Sequence, residues 1–208
     1  MTLQHEMYPV QFDVDYPVAP LSRVSTFFRL VTVIPISVVL ISLGAGWAGA
    51  AGVLYLSAIG ALLVFPPLLM ILFKQKYPRW WFDWNLELMR FASRVEVYTN
   101  LLRDEYPSTD EEQAVHLDMA YPDVPGQLNR WLPLVKWILA VPHYMVLFFL
   151  TIAAFIVITV AWFAILFTGR YPRDLFNFVV GVMRWWIRVV AYAFIMATDK
   201  YPPFHLSQ

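Results

Sequence analysis

The chain has 208 residues, of which 60% are hydrophobic and 14% are charged, and it carries no formal net charge at pH 7. This is more apolar surface than one water-soluble core of this length buries, so the composition predicts an integral membrane protein. The lack of cysteine excludes disulfides, thiolate catalysis and thiolate metal sites. No extended basic tail indicates nucleic-acid binding.

Two short stretches, residues 10–15 and 115–120, alternate apolar and polar side chains, and each is followed by Tyr-Pro. The alternation predicts short strands with one buried face. Phe204 and Leu206 also alternate with a polar neighbour, so we expect a third strand beside the other two. We interpret each Tyr-Pro as a turn at the membrane interface, because proline restricts the backbone and the tyrosine ring suits headgroup level.

The first strongly apolar region covers about residues 24–73. Residues 24–42 are long enough for one membrane crossing, and residues 53–73 form a second. The segment between them, GAGWAGAAG at 44–52, is rich in small residues and has no charge. The pattern therefore predicts a transmembrane helical hairpin.

A second apolar region covers about residues 131–167. One straight helix over all of it would be about 55 Å long, well beyond a hydrocarbon core of about 30 Å. No strong turn signal interrupts the run after Pro142. We nevertheless expect two short crossings with a tight turn near residues 150–154, which would make a second hairpin.

An amphipathic helix is predicted after each hairpin, at about residues 79–101 and 174–197. We expect both helices to lie in the interface, with arginines towards the headgroups. The second is apolar enough to resemble another span. The interface is favoured because Arg184 and Arg188 would each cost about 2.5 to 3.5 kcal/mol near the bilayer centre.

An offset of 94 residues superimposes FKQKYPRWWFDWNLELMRFASR at 73–94 on FTGRYPRDLFNFVVGVMRWWIR at 167–188. The predicted fold is therefore a mainly α, polytopic membrane protein built from two tandem repeats, residues 1–107 and 108–208. Each repeat would contain a short strand, a hairpin and an interfacial helix. All Lys and Arg residues lie away from the two predicted hairpin tips, so both termini are expected in the cytoplasm and the repeats are expected to be parallel.

Four arginines form the strongest repeated polar feature: Arg90, Arg94, Arg184 and Arg188. One interpretation is that they bind anionic lipid headgroups or phosphate, because a guanidinium offers a planar fork to oxyanions. The other is internal pairing, with Asp83 or Glu87, or ordinary snorkelling at the interface. The sequence favours neither interpretation.

Aromatic side chains beside the predicted interface are expected to act as membrane anchors. They are Tyr77, Trp80, Trp81, Tyr171, Trp185 and Trp186. His143 is the best candidate for a functional polar group inside the membrane, where polar side chains are expensive to retain. We favour the simpler alternative, a histidine near the interface bonded to a backbone carbonyl or water.

No metal or cofactor is predicted, because the four histidines share no ligand-like spacing. No glycine-rich phosphate loop, nucleophile elbow or zinc motif is visible in the sequence. We therefore expect a protein that is not an enzyme.

The segments YPVQFDVDYP, AVHLDMAYP, FAILFTGRYPRDLFNFVVGVMRWWIRVVAYAF and TDKYPPFHL together resemble a widespread bacterial family of integral membrane proteins of unknown function. Members of that family repeat the Gly-Arg-Tyr-Pro turn followed by a helix. The resemblance implies a bacterial inner-membrane location and carries no activity, ligand or catalytic residue.

The leading functional hypothesis is a non-enzymatic membrane scaffold or accessory subunit. Its expected partners are membrane lipids, with anionic headgroups as one option, and either further copies of itself or a larger membrane complex. Small residues at 44–52 would permit close helix packing. The alternative is a small oligomeric channel or transporter, against which stands the scarcity of polar groups in the predicted spans.

Overall fold

The computed structural model describes residues 8–42, 58–109 and 111–207. Over these residues the chain is mainly helical, with one antiparallel two-stranded sheet. Three of the described helices are long and apolar enough to cross a membrane: Arg23–Leu40, Val141–Thr168 and Arg173–Ile195. The prediction of a membrane protein is supported at this level. The predicted tip of the first hairpin, residues 44–52, lies outside the described residues.

The elements follow one another in this order along the chain: β1 (Val10–Val14), α1 (Arg23–Ser42), α2 (Ala58–Lys74), α3 (Arg79–Thr99), β2 (Val115–Met119), α4 (Val124–Gln127), α5 (Lys136–Leu139), α6 (Val141–Thr168) and α7 (Arg173–Val190). A short 3₁₀ turn precedes α5, and α7 continues into a π-helical turn at Ala191–Ile195. The predicted interfacial helices correspond to α3 and α7.

The two strands pair antiparallel, with Phe12 opposite Leu117 at the centre. Alternate residues of each strand face the core, so Phe12 and Leu117 are buried while Asp13 and Asp118 are exposed. The predicted strands with one buried face are confirmed. That buried face lies on the two amphipathic helices, with β2 against α3 and β1 against α7.

The expected third strand is wrong. Residues 204–206 lie outside the sheet and run as irregular chain across α7. Two arginines of α7 occupy the carbonyls of this segment, because Arg184 donates to Leu206 O and Arg188 donates to Ser207 O. Carbonyls bound in this way are not available for a strand ladder.

The predicted turn near residues 150–154 is also wrong, because α6 is one unbroken helix of 28 residues. At 1.5 Å per residue it is about 42 Å long. The estimate of about 55 Å included residues 131–140, which instead form the 3₁₀ turn and α5. No glycine or proline interrupts the helix after Pro142 until Gly169, which takes the left-handed conformation (φ 73°) that ends it.

Helix α7 is covered on several sides. It packs against α6 along one face and against β1 along another, and 83% of the apolar segment Arg173–Ile195 is buried within the protein. Within its arginine stripe, Arg184 faces the strand and Arg188 faces the C-terminal segment. Gly181 lies where the C-terminal segment crosses, and a Cβ there would come within 2.9 Å of the Leu206 Cβ.

We predict that Gly181→Ala loosens the C-terminal segment. The added methyl group meets both the Leu206 Cβ and, at 3.1 Å, the Leu206 carbonyl oxygen, and overpacking of this kind costs about 1 to 3 kcal/mol. The gain in helix propensity offsets at most about 1 kcal/mol of that. The variant should show a lower thermal unfolding midpoint and faster proteolysis after residue 200.

A double-mutant cycle with Leu206→Gly supplies the control, because Gly181→Ala should cost less once the Leu206 side chain is gone. Equal costs in both backgrounds would show that the contact with the Leu206 side chain is not what requires the glycine.

Candidate functional site

Arg184 of α7 is buried beneath the sheet and binds β1 through two donors and the C-terminal segment through a third. Its Nε donates to Phe12 O at 2.7 Å, and its two terminal nitrogens donate to Leu206 O at 2.8 Å and to an Asp13 carboxylate oxygen at 3.0 Å. Charge-assisted bonds to a planar guanidinium fix both distance and orientation. The helix, the strand and the C-terminal segment therefore meet at this one side chain.

Arg90 of α3 occupies the corresponding place under β2. Its Nε donates to Leu117 O at 2.9 Å, and its terminal nitrogens bind Asp118 at 2.9 Å and Glu87 at 2.6 Å. Phe12 and Leu117 face each other in the sheet. The two arginines thus bind the carbonyls of the central residue pair.

The second arginine of each helix also turns inward. Arg94 donates to Ser108 O at 2.9 Å, and Arg188 donates to Ser207 O at 3.0 Å. The guanidinium carbon of Arg188 lies 5.7 Å from the centre of the Tyr8 ring. Both side chains are more than nine-tenths buried at the residue level.

All four arginines therefore bind partners within the protein, as the internal-pairing interpretation expected. The partners differ from most of those expected. Glu87 does pair with Arg90, whereas Asp83 lies 4.0 Å from Arg79. The remaining partners are backbone carbonyls and strand aspartates, which single-sequence reasoning did not identify because they are far away along the chain. Lipid binding by these arginines stays a prediction.

The six predicted anchors divide into two groups. Trp80 is 69% exposed, and Trp81 and Trp186 are partly exposed, which suits a membrane anchor. The other three, Tyr77, Tyr171 and Trp185, are at most 5% exposed. The anchor prediction is corrected for these three, because their rings belong to the protein core. The Tyr77 hydroxyl, for example, donates to Ile195 O.

His143 is fully buried near the start of α6. The indole N–H of Trp185 donates to its Nδ1 at 3.0 Å, and its ring stacks on Phe204 with centroids 4.0 Å apart. The expected partner was a backbone carbonyl or water, so the tryptophan donor was missed. Since Nδ1 accepts a hydrogen bond, this network places the proton of a neutral ring on Nε2.

Two further cations, Arg29 and Lys136, hold the segments that follow the amphipathic helices. Arg29 donates to Arg103 O and pairs with Asp104, and its guanidinium lies 4.0 Å from the Tyr98 ring centre. Its side chain is only 2% exposed.

Lys136 makes the matching set of contacts in the second half of the chain. Its ammonium binds Thr198 O at 2.8 Å and Asp199 at 2.7 Å, and it lies 5.1 Å from the Tyr192 ring centre. Burial lowers the pKa of Lys136, and the Asp199 carboxylate acts in the opposite direction. The ion pair keeps a fully buried lysine compensated.

A cavity of about 320 Å³ lies between α1, α3, α6 and α7. Most of its lining is aliphatic or aromatic, and the polar side chains at its wall are Glu96, Thr99, Asn100 and Thr151. Thr151 accepts a hydrogen bond from the Trp186 indole at 2.9 Å. Thr99 donates to Val95 O at 2.7 Å. Both hydroxyls are therefore engaged.

Glu96 differs from the other charged residues of the core. No hydrogen bond or ion pair joins its carboxylate to any side chain in the described part of the chain. Burial raises the pKa of Glu96 to about 7. Glu96 is half-buried near the end of α3, and its sequence signal is a lone carboxylate within the apolar stretch Val95 to Tyr98.

Within the described ranges, no three His, Asp or Glu side chains are placed to hold a metal ion. A family model described as a domain of unknown function (DUF4389) matches residues 131–205. No curated protein and no solved structure matches the chain. The match agrees with the expected resemblance to an uncharacterised family and assigns no activity, ligand or partner.

We predict that Arg184→Gln destabilises the protein more than Arg90→Gln. The Arg184 side chain is 9% exposed and that of Arg90 is 30% exposed, so the carbonyls left unpaired by the first change are less accessible to water. Losing charged hydrogen bonds at a buried site costs about 1.5 to 3 kcal/mol. The measurement is thermal or denaturant unfolding in a mild detergent.

Arg79→Gln is the matched control, since the Arg79 side chain is 78% exposed and its contact with Asp83 is long. Its effect should stay within about 0.5 kcal/mol. An Arg184→Gln variant as stable as this control would contradict the proposed structural role.

Proposed function

We propose that the protein is a non-enzymatic integral membrane scaffold or accessory subunit. The observation that carries the proposal is the outward face of α6, where exposed aromatic rings extend along most of the helix. They belong to Phe148, Phe149, Phe155, Phe163 and Phe167. Only 17% of this span is buried within the protein. Such a surface requires lipid or another membrane protein against it.

We infer that this scaffold is built from two repeats related by a pseudo-two-fold axis, and matched contacts support it. Arg90 and Arg184, 94 residues apart, bind Leu117 O and Phe12 O respectively. In the strand pairing, Phe12 opposes Leu117 and each neighbouring pair steps outward symmetrically. These are the relations that a two-fold axis through the centre of the sheet requires.

The strands are exchanged between the halves in this arrangement. β1 comes from the first half and packs on α7 of the second, while β2 from the second half packs on α3 of the first. The tyrosines follow the same rule, because Tyr16 donates to Tyr171 O and Tyr121 donates to Tyr77 O. Exchange of this kind ties the halves into one body.

The sequence offset between equivalent residues of the two halves changes from 94 to 95 near the end of α7, where the helix contains a π-helical turn. Tyr98 and Tyr192 are 94 residues apart, whereas Asp104 and Asp199, which pair with equivalent cations, are 95 apart. One residue is therefore inserted in the second half. The π-helical turn at Ala191–Ile195 accommodates such an insertion within a helix.

The layer order supports an interfacial position for α3 and α7. The outer face of the sheet carries exposed Asp13, His116 and Asp118, which require water. The membrane helices α1 and α6 lie against the other sides of α3 and α7. We place the sheet and both termini on the cytoplasmic side of a bacterial inner membrane, following the distribution of basic residues.

Headgroup contacts are assigned to the exposed basic residues of the two Tyr-Pro turns, Lys74, Lys76 and Arg170. They lie at or just after the ends of α2 and α6, where those helices leave the apolar layer. Each basic residue close to an anionic surface contributes about 1 kcal/mol of attraction. This assignment moves the expected lipid contact from the buried arginines to exposed positions.

Replacing Lys74, Lys76 and Arg170 together with glutamine should reduce the preference for anionic lipid, by up to about 3 kcal/mol. The measurement is the amount of anionic lipid retained by protein purified from mixed nanodiscs, with neutral-lipid nanodiscs as the control for folding. The exposed Arg79→Gln variant should retain more anionic lipid than the triple variant. Equal retention in the triple variant and wild type would contradict the assignment.

The scaffold hypothesis itself is tested by isolation from bacterial membranes in mild detergent. We expect a complex larger than one chain, containing further copies or another membrane protein, and no solute flux in proteoliposomes. The alternative is a small channel or transporter, which the cavity at Glu96 favours. Flux that disappears in Glu96→Gln would establish that alternative, and a monomer without partners would contradict the scaffold.

A further inference from the structure

The cavity between α1, α3, α6 and α7 has the features of a ligand site. Leu40 of α1 and Trp186 of α7 line its inner side, whereas Leu30 and Phe155, which are 74% and 72% exposed, lie at its open edge. Its volume of about 320 Å³ falls within the range of small-molecule pockets. Apolar walls with one convergent polar group are characteristic of such sites.

Among the described residues that line the cavity, Glu96 is the only titratable one. A carboxylate surrounded by apolar groups is costly unless it is protonated or receives a cation. Elsewhere in the described core, each buried cation has a carboxylate or carbonyl partner. Glu96 is the carboxylate for which the described chain supplies no cation.

The charged groups on the surrounding helices are engaged elsewhere. On α1, Arg29 binds Asp104, and Arg23 donates to Phe167 O. On α7, Arg184 and Arg188 bind the sheet and the C-terminal segment, and the Arg173 guanidinium lies over the Tyr16 ring. On α3 itself, Arg94 donates to Ser108 O.

The remaining titratable residues of α6 and α3 also have partners other than Glu96. The histidine of α6, His143, accepts a hydrogen bond from Trp185. The remaining charges of α3 lie nearer its start, where Arg90 pairs with Glu87 and Asp118, and Arg79 lies near Asp83. A cation for Glu96 must therefore come from outside these residues.

The carboxylate and the apolar lining of the cavity limit the class of ligand that it can bind. An ammonium ion with a compact hydrophobic body would pair with the carboxylate and fill the apolar volume. The partly buried Trp186 ring at the wall adds an aromatic surface, and aromatic rings attract cations through their quadrupoles. A neutral hydrocarbon would leave the carboxyl group unpaired, and an anion would be repelled by it.

We propose that this cavity binds a hydrophobic amine in its ammonium form, with the Glu96 carboxylate as counter-ion. The inference goes beyond the scaffold function and does not depend on it, because it rests on the cavity and the unpaired carboxylate alone. Thr151 positions the Trp186 ring at the site through the hydrogen bond from the indole N–H.

The test uses 1-aminoadamantane as a compact, rigid probe with one ammonium group. Binding is measured by calorimetry with the full chain in neutral-lipid nanodiscs, and empty nanodiscs give the background from partition into lipid. We expect saturable binding at pH 8 and about tenfold weaker binding at pH 6. The sign follows from the pKa of Glu96 at about 7, because protonation at the lower pH removes the negative charge that the ammonium needs.

Three comparisons make the result specific. Glu96→Gln should reduce the affinity at pH 8 at least tenfold, whereas Glu87→Gln, on the exposed face of the same helix, should leave it unchanged. The neutral isostere 1-adamantanol should bind at least tenfold more weakly than the amine, and without dependence on pH.

A second variant guards against a folding artefact. Ala154 lies at the cavity wall and is buried, so Ala154→Leu narrows the cavity while keeping Glu96, and it should also reduce amine binding. Thermal unfolding of each variant checks that it is folded. Retained affinity in Glu96→Gln, or equal affinity for the amine and the alcohol, would overturn the proposal.

Discussion

The bonds from the guanidiniums of Arg90 and Arg184 to strand carbonyls are the constraint on which the rest of the fold depends. A two-stranded ribbon is at best marginally stable in water, and its outer edges present unpaired carbonyls. Arg90 and Arg184 satisfy such carbonyls at Leu117 and Phe12, at the centre of the ribbon. The same bonds make buried arginines tolerable, because their donors regain partners lost with water. The ribbon and the helices beneath it therefore stabilise each other.

This constraint also joins the two halves of the chain. Each strand packs on the amphipathic helix that belongs to the other half of the sequence. Pulling the halves apart would expose buried arginines on one side and bare carbonyls on the other. Hydrogen bonds from arginines join the sheet to the amphipathic helices in this layer. Helix α6, in contrast, offers most of its surface outward, where the composition of the surroundings decides what it contacts.

Charge in this protein is used mostly for internal structure. Arg29 and Lys136 each pair with an aspartate and lie over a tyrosine ring. Backbone carbonyls are bound by Arg90, Arg94, Arg184 and Arg188. These groups resemble a headgroup-binding stripe in the sequence but face inward in the fold. Glu96 is the exception, since it faces a cavity and is left without a cation by the described residues. A carboxylate of this kind is suited to binding a cationic ligand.

The sequence by itself determined what local periodicity encodes: the half-buried strands, the apolar helices and the amphipathic stripes of α3 and α7. It failed where a choice depended on contacts distant in the chain. The break before α6 and its unbroken course were missed because apolar residues alone do not mark a turn. The inward direction of Arg184 and the burial of Tyr171 depend on the pairing of β1 with β2. Only the tertiary structure decided the direction of Arg184 and the burial of Tyr171. Each of them depends on a partner more than 150 residues away in the chain, and local sequence does not show which distant segment will cover a side chain.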